Sequence, residues 1–243
     1  MRQRPPIGRP PESRRFTDRA LADLRAEHYS PGGWARFFVR CGARSFEQIR
    51  LRPRAAVEVT AVHIALAPVA WRRPVVLVIS WLLAMTHLGL LGAGRDSIGI
   101  ANCLSLFRAN LPLTRTAPLL AMTSDLADGW IARRTRPTAF GGYADGLADL
   151  TFWTRFATQR SGRLLGGLAL AGWLSPAIAI IIGYFVRGAV IDHPRPMWTR
   201  WLSAALECVI AAEALRPLAG REEVEWKPSS RASKRMPTTS SSN

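Results

Sequence analysis

Residues 125–149 read DLADGWIARRTRPTAFGGYADGLAD and carry four aspartates, Asp125, Asp128, Asp145 and Asp149, in a neighbourhood that is otherwise apolar or basic. In a helix, side chains three or four positions apart share a face, so Asp125 pairs with Asp128 and Asp145 with Asp149. Four carboxylates brought together repel unless cations neutralise them, and hard oxygen ligands suit Mg²⁺ or Mn²⁺. The pattern therefore predicts a divalent-metal site where two acidic helix faces converge on either side of a loop. Between the pairs, Gly129, Ala132 and Gly141 allow close approach of backbone or ligand, and the fork of Arg133 matches phosphate oxygens. Metal, glycine and arginine together point to a pyrophosphate-bearing substrate.

Outward from this stretch the chain is basic and apolar by turns. Lys+Arg number 33 against 17 Asp+Glu, a net charge of +16, which invites anionic partners, either nucleic acid or lipid headgroups. Uncharged runs decide for lipid. Residues 164–186, LLGGLALAGWLSPAIAIIIGYFV, run for 23 positions without a charge, enough for a helix to cross hydrocarbon. Residues 74–94 are similarly uncharged apart from His87, which reads as a hydrogen-bonded core histidine. Basic tails without interleaved aromatics or a nucleic-acid module argue against nucleic-acid binding. Cys41, Cys103 and Cys208 are odd in number and lack CxxC spacing, so reduced thiols are expected rather than a disulfide framework or zinc site.

These features predict an all-α protein, a polytopic membrane bundle of about six apolar helices preceded by cytoplasmic amphipathic helices. Residues 1–15 are Arg- and Pro-rich, without a cleavable signal, and are expected to form a disordered basic tail. Over 16–50, apolar residues recur at three- or four-residue spacing among arginines and break at Ser30–Gly33, predicting two amphipathic juxtamembrane helices. The membrane-embedded domain is expected over 51–218, with Pro176 kinking the long span, a connecting loop over 187–198, and a disordered tail over 219–243. The 16 residues between Arg108 and Asp125 are too few for two crossings, so either the segment from Ile98 to Asp125 is one helix loosened at Pro112 and Pro118, or the likeness of Asn102–Arg108 to a known upstream segment is accidental.

The spacing D-x2-D-G-x2-A-R-x7-G-x3-D-x3-D resembles the signature of the CDP-alcohol phosphatidyltransferases, carried here by Asp125, Asp128, Gly129, Ala132, Arg133, Gly141, Asp145 and Asp149. The gap between Arg133 and Gly141 is seven residues where the family more often has eight. Upstream, Asn102, Leu104 and Arg108 resemble the family's N-x-L-T-x-x-R segment, with Ser105 in place of threonine. The resemblance implies transfer of a phosphatidyl or related group from a CDP-linked lipid, such as CDP-diacylglycerol, to an alcohol, with release of CMP. It implies Asp125, Asp128, Asp145 and Asp149 as metal ligands, with Asp149 also the general base. Gly129, Ala132, Arg133 and Gly141 then surround the donor's cytidine and phosphates. A cell-membrane location, an active site facing the cytoplasm and a homodimer are further implications.

From the residues alone, two carboxylate pairs suit two divalent ions clamping the attacking and leaving oxygens of a phosphoryl displacement. Arg108, Arg155, Arg187 and Arg195 are available to an acceptor's phosphate, the plainer role for each being an interfacial cation. Taken singly, the aspartates would pair with Arg133, Arg134 and Arg136 in a solvated loop; four at this spacing favour a site. Two other readings compete. A non-enzymatic membrane scaffold would bind anionic lipid through its basic segments and tolerate loss of the aspartates. A metal-dependent intramembrane prenyltransferase would also gather aspartates around diphosphate, but its N-x3-D-x3-D pattern is not matched.

Overall fold

A computed structural model describes residues 12–70, 74–135, 138–190 and 197–216. The parts of the expected tails at 1–11 and 219–243, and residues 191–196 with Arg195, lie outside the described residues. Among the described residues the chain is all-helical. Helices α1 (Glu12–Ala26), α2 (Pro31–Leu51), α3 (Pro53–Ala70) and α4 (Pro74–Thr86) are followed by a 3-10 turn, Leu88–Leu91. Then come α5 (Gly99–Ala109), α6 (Ala117–Arg134), α7 (Ala139–Arg160), α8 (Arg163–Ala169), α9 (Ser175–Arg187) and α10 (Met197–Leu215).

The amphipathic pair forms where the periodicity places it, although α1 starts at Glu12, inside the expected tail. Ser30 caps α2 by accepting a hydrogen bond from the Gly33 amide at 3.1 Å. Arg40 and Arg44 of α2 pair with Asp23 and Glu12 of α1, and Arg36 pairs with Glu27 in the turn between them. The arm docks on the end of α9: Trp34 packs on Phe185 with ring centroids 5.3 Å apart, and Arg25 donates to the Arg187 carbonyl at 3.0 Å. All three cysteines are free, and burial pushes the Cys41 thiol up, away from the reactive thiolate.

Arg163–Arg187 is the one helix among the described residues long and apolar enough to cross a membrane. Only 11% of its most apolar window is buried, whereas the core helix of a water-soluble domain hides such a surface. Its 25 residues span roughly 37 Å at 1.5 Å each, beyond the ~30 Å of a hydrocarbon core. The expected irregularity is present as a π-turn over Leu170–Leu174, directly before Pro176, whose ring nitrogen cannot donate to the preceding turn.

Two expectations for the membrane domain need correction. The uncharged run 74–94 is not one span: α4 stops at Thr86 after 13 residues, and Gly92 and Gly94 turn the chain at φ 88° and 75°. Likewise the segment from Ile98 to Asp125 is not one helix. It is α5, 11 residues long, then a turn over 110–116 and α6. The residue before a proline avoids helical geometry, so Leu111–Pro112 ends α5 early. A hairpin fits because its first arm is short.

Two cores hold the bundle. One gathers Val59, Leu88, Leu106 and Phe140 from α3, the 3-10 turn, α5 and α7. The other gathers Leu111, Phe152, Trp153, Phe156 and Ile210. His63 donates or accepts at both ring nitrogens, with Val59 O at 2.8 Å and Ser80 Oγ at 3.1 Å, and His87 stacks on Tyr143 while bonded to Leu83 O. Both are satisfied core histidines.

Candidate metal centre

Helix α5 packs along both α6 and α7, which barely touch each other. It therefore sets the separation of the two acidic faces. On α6, Asp125, Asp128, Gly129, Ala132 and Arg133 follow an i, i+3, i+4, i+7, i+8 pattern and form one stripe. On α7, Gly141, Asp145 and Asp149 form another, one turn apart, beginning just after the cap Thr138, whose hydroxyl accepts from the Gly141 amide at 3.0 Å.

Arg108, near the end of α5, stands where the stripes meet. Its side chain is 0% exposed, with Nη1 at 3.0 Å from Asp125 Oδ1 and 3.1 Å from Asp128 Oδ2. Its Nη2 pairs with Asp145, and Nε lies 3.1 Å from Asp149 Oδ1, although at an angle that makes no hydrogen bond. One guanidinium thus touches all four predicted carboxylates. Arginine remains charged and offers a planar fork of donors, so it bridges several acids where lysine would present a single point. One guanidinium serves four carboxylates, and Glu207 of α10 is a fifth acid close enough to interact with Asp149.

Within this cluster the ligand atoms of Asp125, Asp145 and Asp149 lie within 4.8 Å of one another. Oxygens on an octahedral Mg²⁺ sit about 4.2 Å apart when opposite and about 2.9 Å apart when adjacent, so the trio would have to close in, with Arg108 giving way, to hold a hard cation. The donor set, all carboxylate oxygen, fits Mg²⁺ or Mn²⁺. Asp128 departs from the four-ligand expectation. Its Oδ2 accepts from Ser105 Oγ at 3.0 Å and from Arg108, and it lies outside the trio. Its bonds to Ser105 and Arg108 hold it against α5, away from the trio.

The small residues have separable roles. A Cβ on Gly141 would lie 2.9 Å from Asn102 Oδ1, so this glycine is what lets α5 and α7 approach. Asn102 in turn donates to Ile98 O at 2.6 Å. Gly141→Val is expected to destabilise the fold by about 1–3 kcal/mol through overpacking, read as a lower melting temperature, whereas Gly142→Ala, with open space around it, is expected to be near neutral. Gly129 faces its own Arg133, whose Nη1 is 3.4 Å from the Cβ position. Arg133 is exposed at the end of α6, outside the ion-pair cluster, while Arg134 stacks over Trp130 with its guanidinium carbon 3.5 Å from the ring centre.

No protein-family model matches the chain, and no match is found among curated proteins or solved structures. The resemblance to the CDP-alcohol phosphatidyltransferases is carried by the motif residues alone.

Of the arginines suited to an acceptor's phosphate, Arg108 is instead consumed by the aspartates, and Arg155 donates to Ala109 O at 3.1 Å. The hub role of Arg108 had a faint sequence signal: a single arginine in the apolar stretch 98–113, three residues after a serine. Glu207 had none, because nothing in the spacing ties α10 to α7. Two clefts, of about 220 and 250 Å³, lie elsewhere and are not lined by any motif residue. Arg108 fills the space between the carboxylates.

Proposed function

We propose that this chain is an integral-membrane transferase that moves a phosphatidyl or similar substituted phosphate group from a CDP-linked lipid to an alcohol, releasing CMP. The observation that carries the reading is the meeting of Asp125, Asp145 and Asp149 from two helices, at motif spacing, around one guanidinium. Outward-facing apolar residues support a bilayer setting: Val57 and Ile64 on α3, Val75 on α4, Ile182 and Val186 on α9, and Trp201 on α10 are each more than half exposed.

Bound Mg²⁺ or Mn²⁺ would neutralise the donor's diphosphate and polarise the phosphorus under attack. Asp125, Asp145 and Asp149 hold the ion. Asp149 is the least exposed of the three, with a side chain 19% accessible against 45% and 44%, and it takes the proton from the acceptor hydroxyl. Arg133, two turns beyond Asp125 on the same stripe, steadies the phosphates from the open end of α6. Arg108 is the counter-ion that bridges the cluster, and it would share these carboxylates with a bound cation.

Purified protein supplied with Mn²⁺, CDP-diacylglycerol and a panel of alcohols is expected to release CMP, with absolute dependence on both the metal and one class of alcohol. Loss of CMP release on chelation, restored by Mn²⁺, checks the metal requirement. The four ion pairs of Arg108 favour one other reading, in which the acids are a closed structural core of a non-enzymatic scaffold for anionic lipid. On that reading no alcohol elicits CMP, and deleting residues 1–50 abolishes binding to anionic vesicles.

A further inference from the structure

Every fourth residue of α2 falls on one ridge, Trp34, Phe38, Gly42, Phe46 and Arg50. Trp34 stacks on Phe38 with ring centroids 5.6 Å apart, and the guanidinium carbon of Arg50 lies 4.6 Å from the centre of the Phe46 ring. Phe38 and Phe46 are 63% and 57% exposed, Val39 beside them is 70% exposed, and a Cβ at Gly42 would meet open space. A surface helix of a water-soluble protein turns its apolar stripe to the core, whereas α2 turns this ridge outward.

The position of α2 says what covers the ridge. Its first turn packs Trp34 and Phe37 on Phe185 at the end of α9, and midway Ser45 donates to the Thr86 carbonyl at the end of α4, at 3.2 Å. After Leu51 a single residue, Arg52, leads into α3. Helix α2, roughly 31 Å long, therefore runs across one end of the bundle, where the outward apolar surfaces of α9 and α3 begin at Val186 and Val57. Its orientation follows from α1. Arg36, Arg40 and Arg44 stand two residues from Phe38, Gly42 and Phe46, about 200° round the helix, and pair with Glu27 in the turn and with Asp23 and Glu12 of α1. Helix α1 in turn rides over the tip of α9, with Arg25 on the Arg187 carbonyl and the Ala22 Cα 3.6 Å from a Cβ placed at Gly188. The ridge thus faces away from α1, back toward the apolar flanks of the bundle.

Charge selects the kind of surface. Residues 12–51 hold eight arginines against five acids, an excess that favours anionic headgroups. Arg50 closes the ridge with an apolar stem beside Phe46 and a fork that matches lipid phosphate, the arrangement in which arginine snorkels. We propose that α2 lies in the plane of an anionic membrane surface, with the Phe38–Phe46 ridge sunk at the boundary between headgroups and acyl chains. This needs the bilayer setting proposed above and is independent of the transfer chemistry.

The full chain, with Cys41, Cys103 and Cys208 replaced by serine, takes one nitroxide label at a time through Gly42→Cys, Phe46→Cys, Arg19→Cys on α1 or Ile182→Cys on α9. Each is placed in nanodiscs of phosphatidylcholine with or without phosphatidylglycerol, and collision with oxygen is compared with collision with a water-soluble nickel chelate. Labels at 42 and 46 are expected to favour oxygen at least about threefold more than the label at 19, as befits a depth of about 5–10 Å, and to sit deeper with phosphatidylglycerol. Labels at 42 and 46 as open to nickel as the label at 19, or no deeper with phosphatidylglycerol, overturn the proposal while a lipid-exposed label at 182 upholds the bilayer setting. A label at 182 open to nickel overturns both. The unsubstituted chain gives a second measurement: a diazirine-bearing phosphatidylglycerol is expected to crosslink to residues 37–50 and to spare α1, and crosslinks confined to α1 overturn the proposal.

Discussion

Arg108→Gln is expected to lower the unfolding free energy of the metal-depleted protein by about 3–5 kcal/mol, the cost of removing one partner from a buried ion-pair network. The substitution leaves Asp125, Asp128, Asp145 and Asp149 facing one another with no cation between them. Mn²⁺ at millimolar concentration is expected to restore most of that stability, and more in Arg108→Gln than in the parent, because only the parent has a resident cation to displace. Arg108→Lys is expected to fall between, since an ammonium holds the charge but cannot fork toward carboxylates on both α6 and α7. The measurement is a denaturant or thermal melt in detergent, with EDTA and with Mn²⁺. A stability loss that Mn²⁺ leaves untouched identifies the acids as a closed structural core and removes the basis for metal-dependent transfer.

Asp149→Asn is expected to reduce CMP release by a factor of about 10²–10⁴, the range for loss of a general base. The side chain keeps its shape and loses the charge that accepts a proton, so the fold should survive. Asp128→Asn supplies the contrast. Asp128 is held by Ser105 and Arg108 at 3.0 and 3.1 Å and stands apart from the trio, so its loss is expected to act on stability more than on turnover. Single-turnover assays of both variants at saturating Mn²⁺ separate the two effects. Equal turnover by Asp149→Asn and the parent refutes the base assignment.

The helical class, the amphipathic arm and the long apolar helix were all legible in residue order, because each rests on a local period. Phe16–Arg50 shows the 3.6-residue repeat, Ser30 and Gly33 supply a cap and break, and 164–186 is apolar without interruption. The two acidic stripes were legible for the same reason, since i to i+3 and i to i+4 positions share a face in any helix. Turn positions were less so. Glycines 92 and 94 cut short an apolar run that looked continuous, and Pro112 turned one anticipated helix into a short arm and a hairpin.

Relations between helices follow a different rule. Which residue of α5 lies opposite Asp125 and Asp145 depends on where α5 stops and how closely Gly141 lets α7 come to Asn102, and neither follows from a repeat. Packing therefore made Arg108 the hub, turned Asp128 aside and brought Glu207 of α10 into the same field. Helical pitch places side chains on a face from local order alone; the meeting of faces is set by side-chain volume and chain reversal across tens of residues, and the charge balance at the centre was settled there.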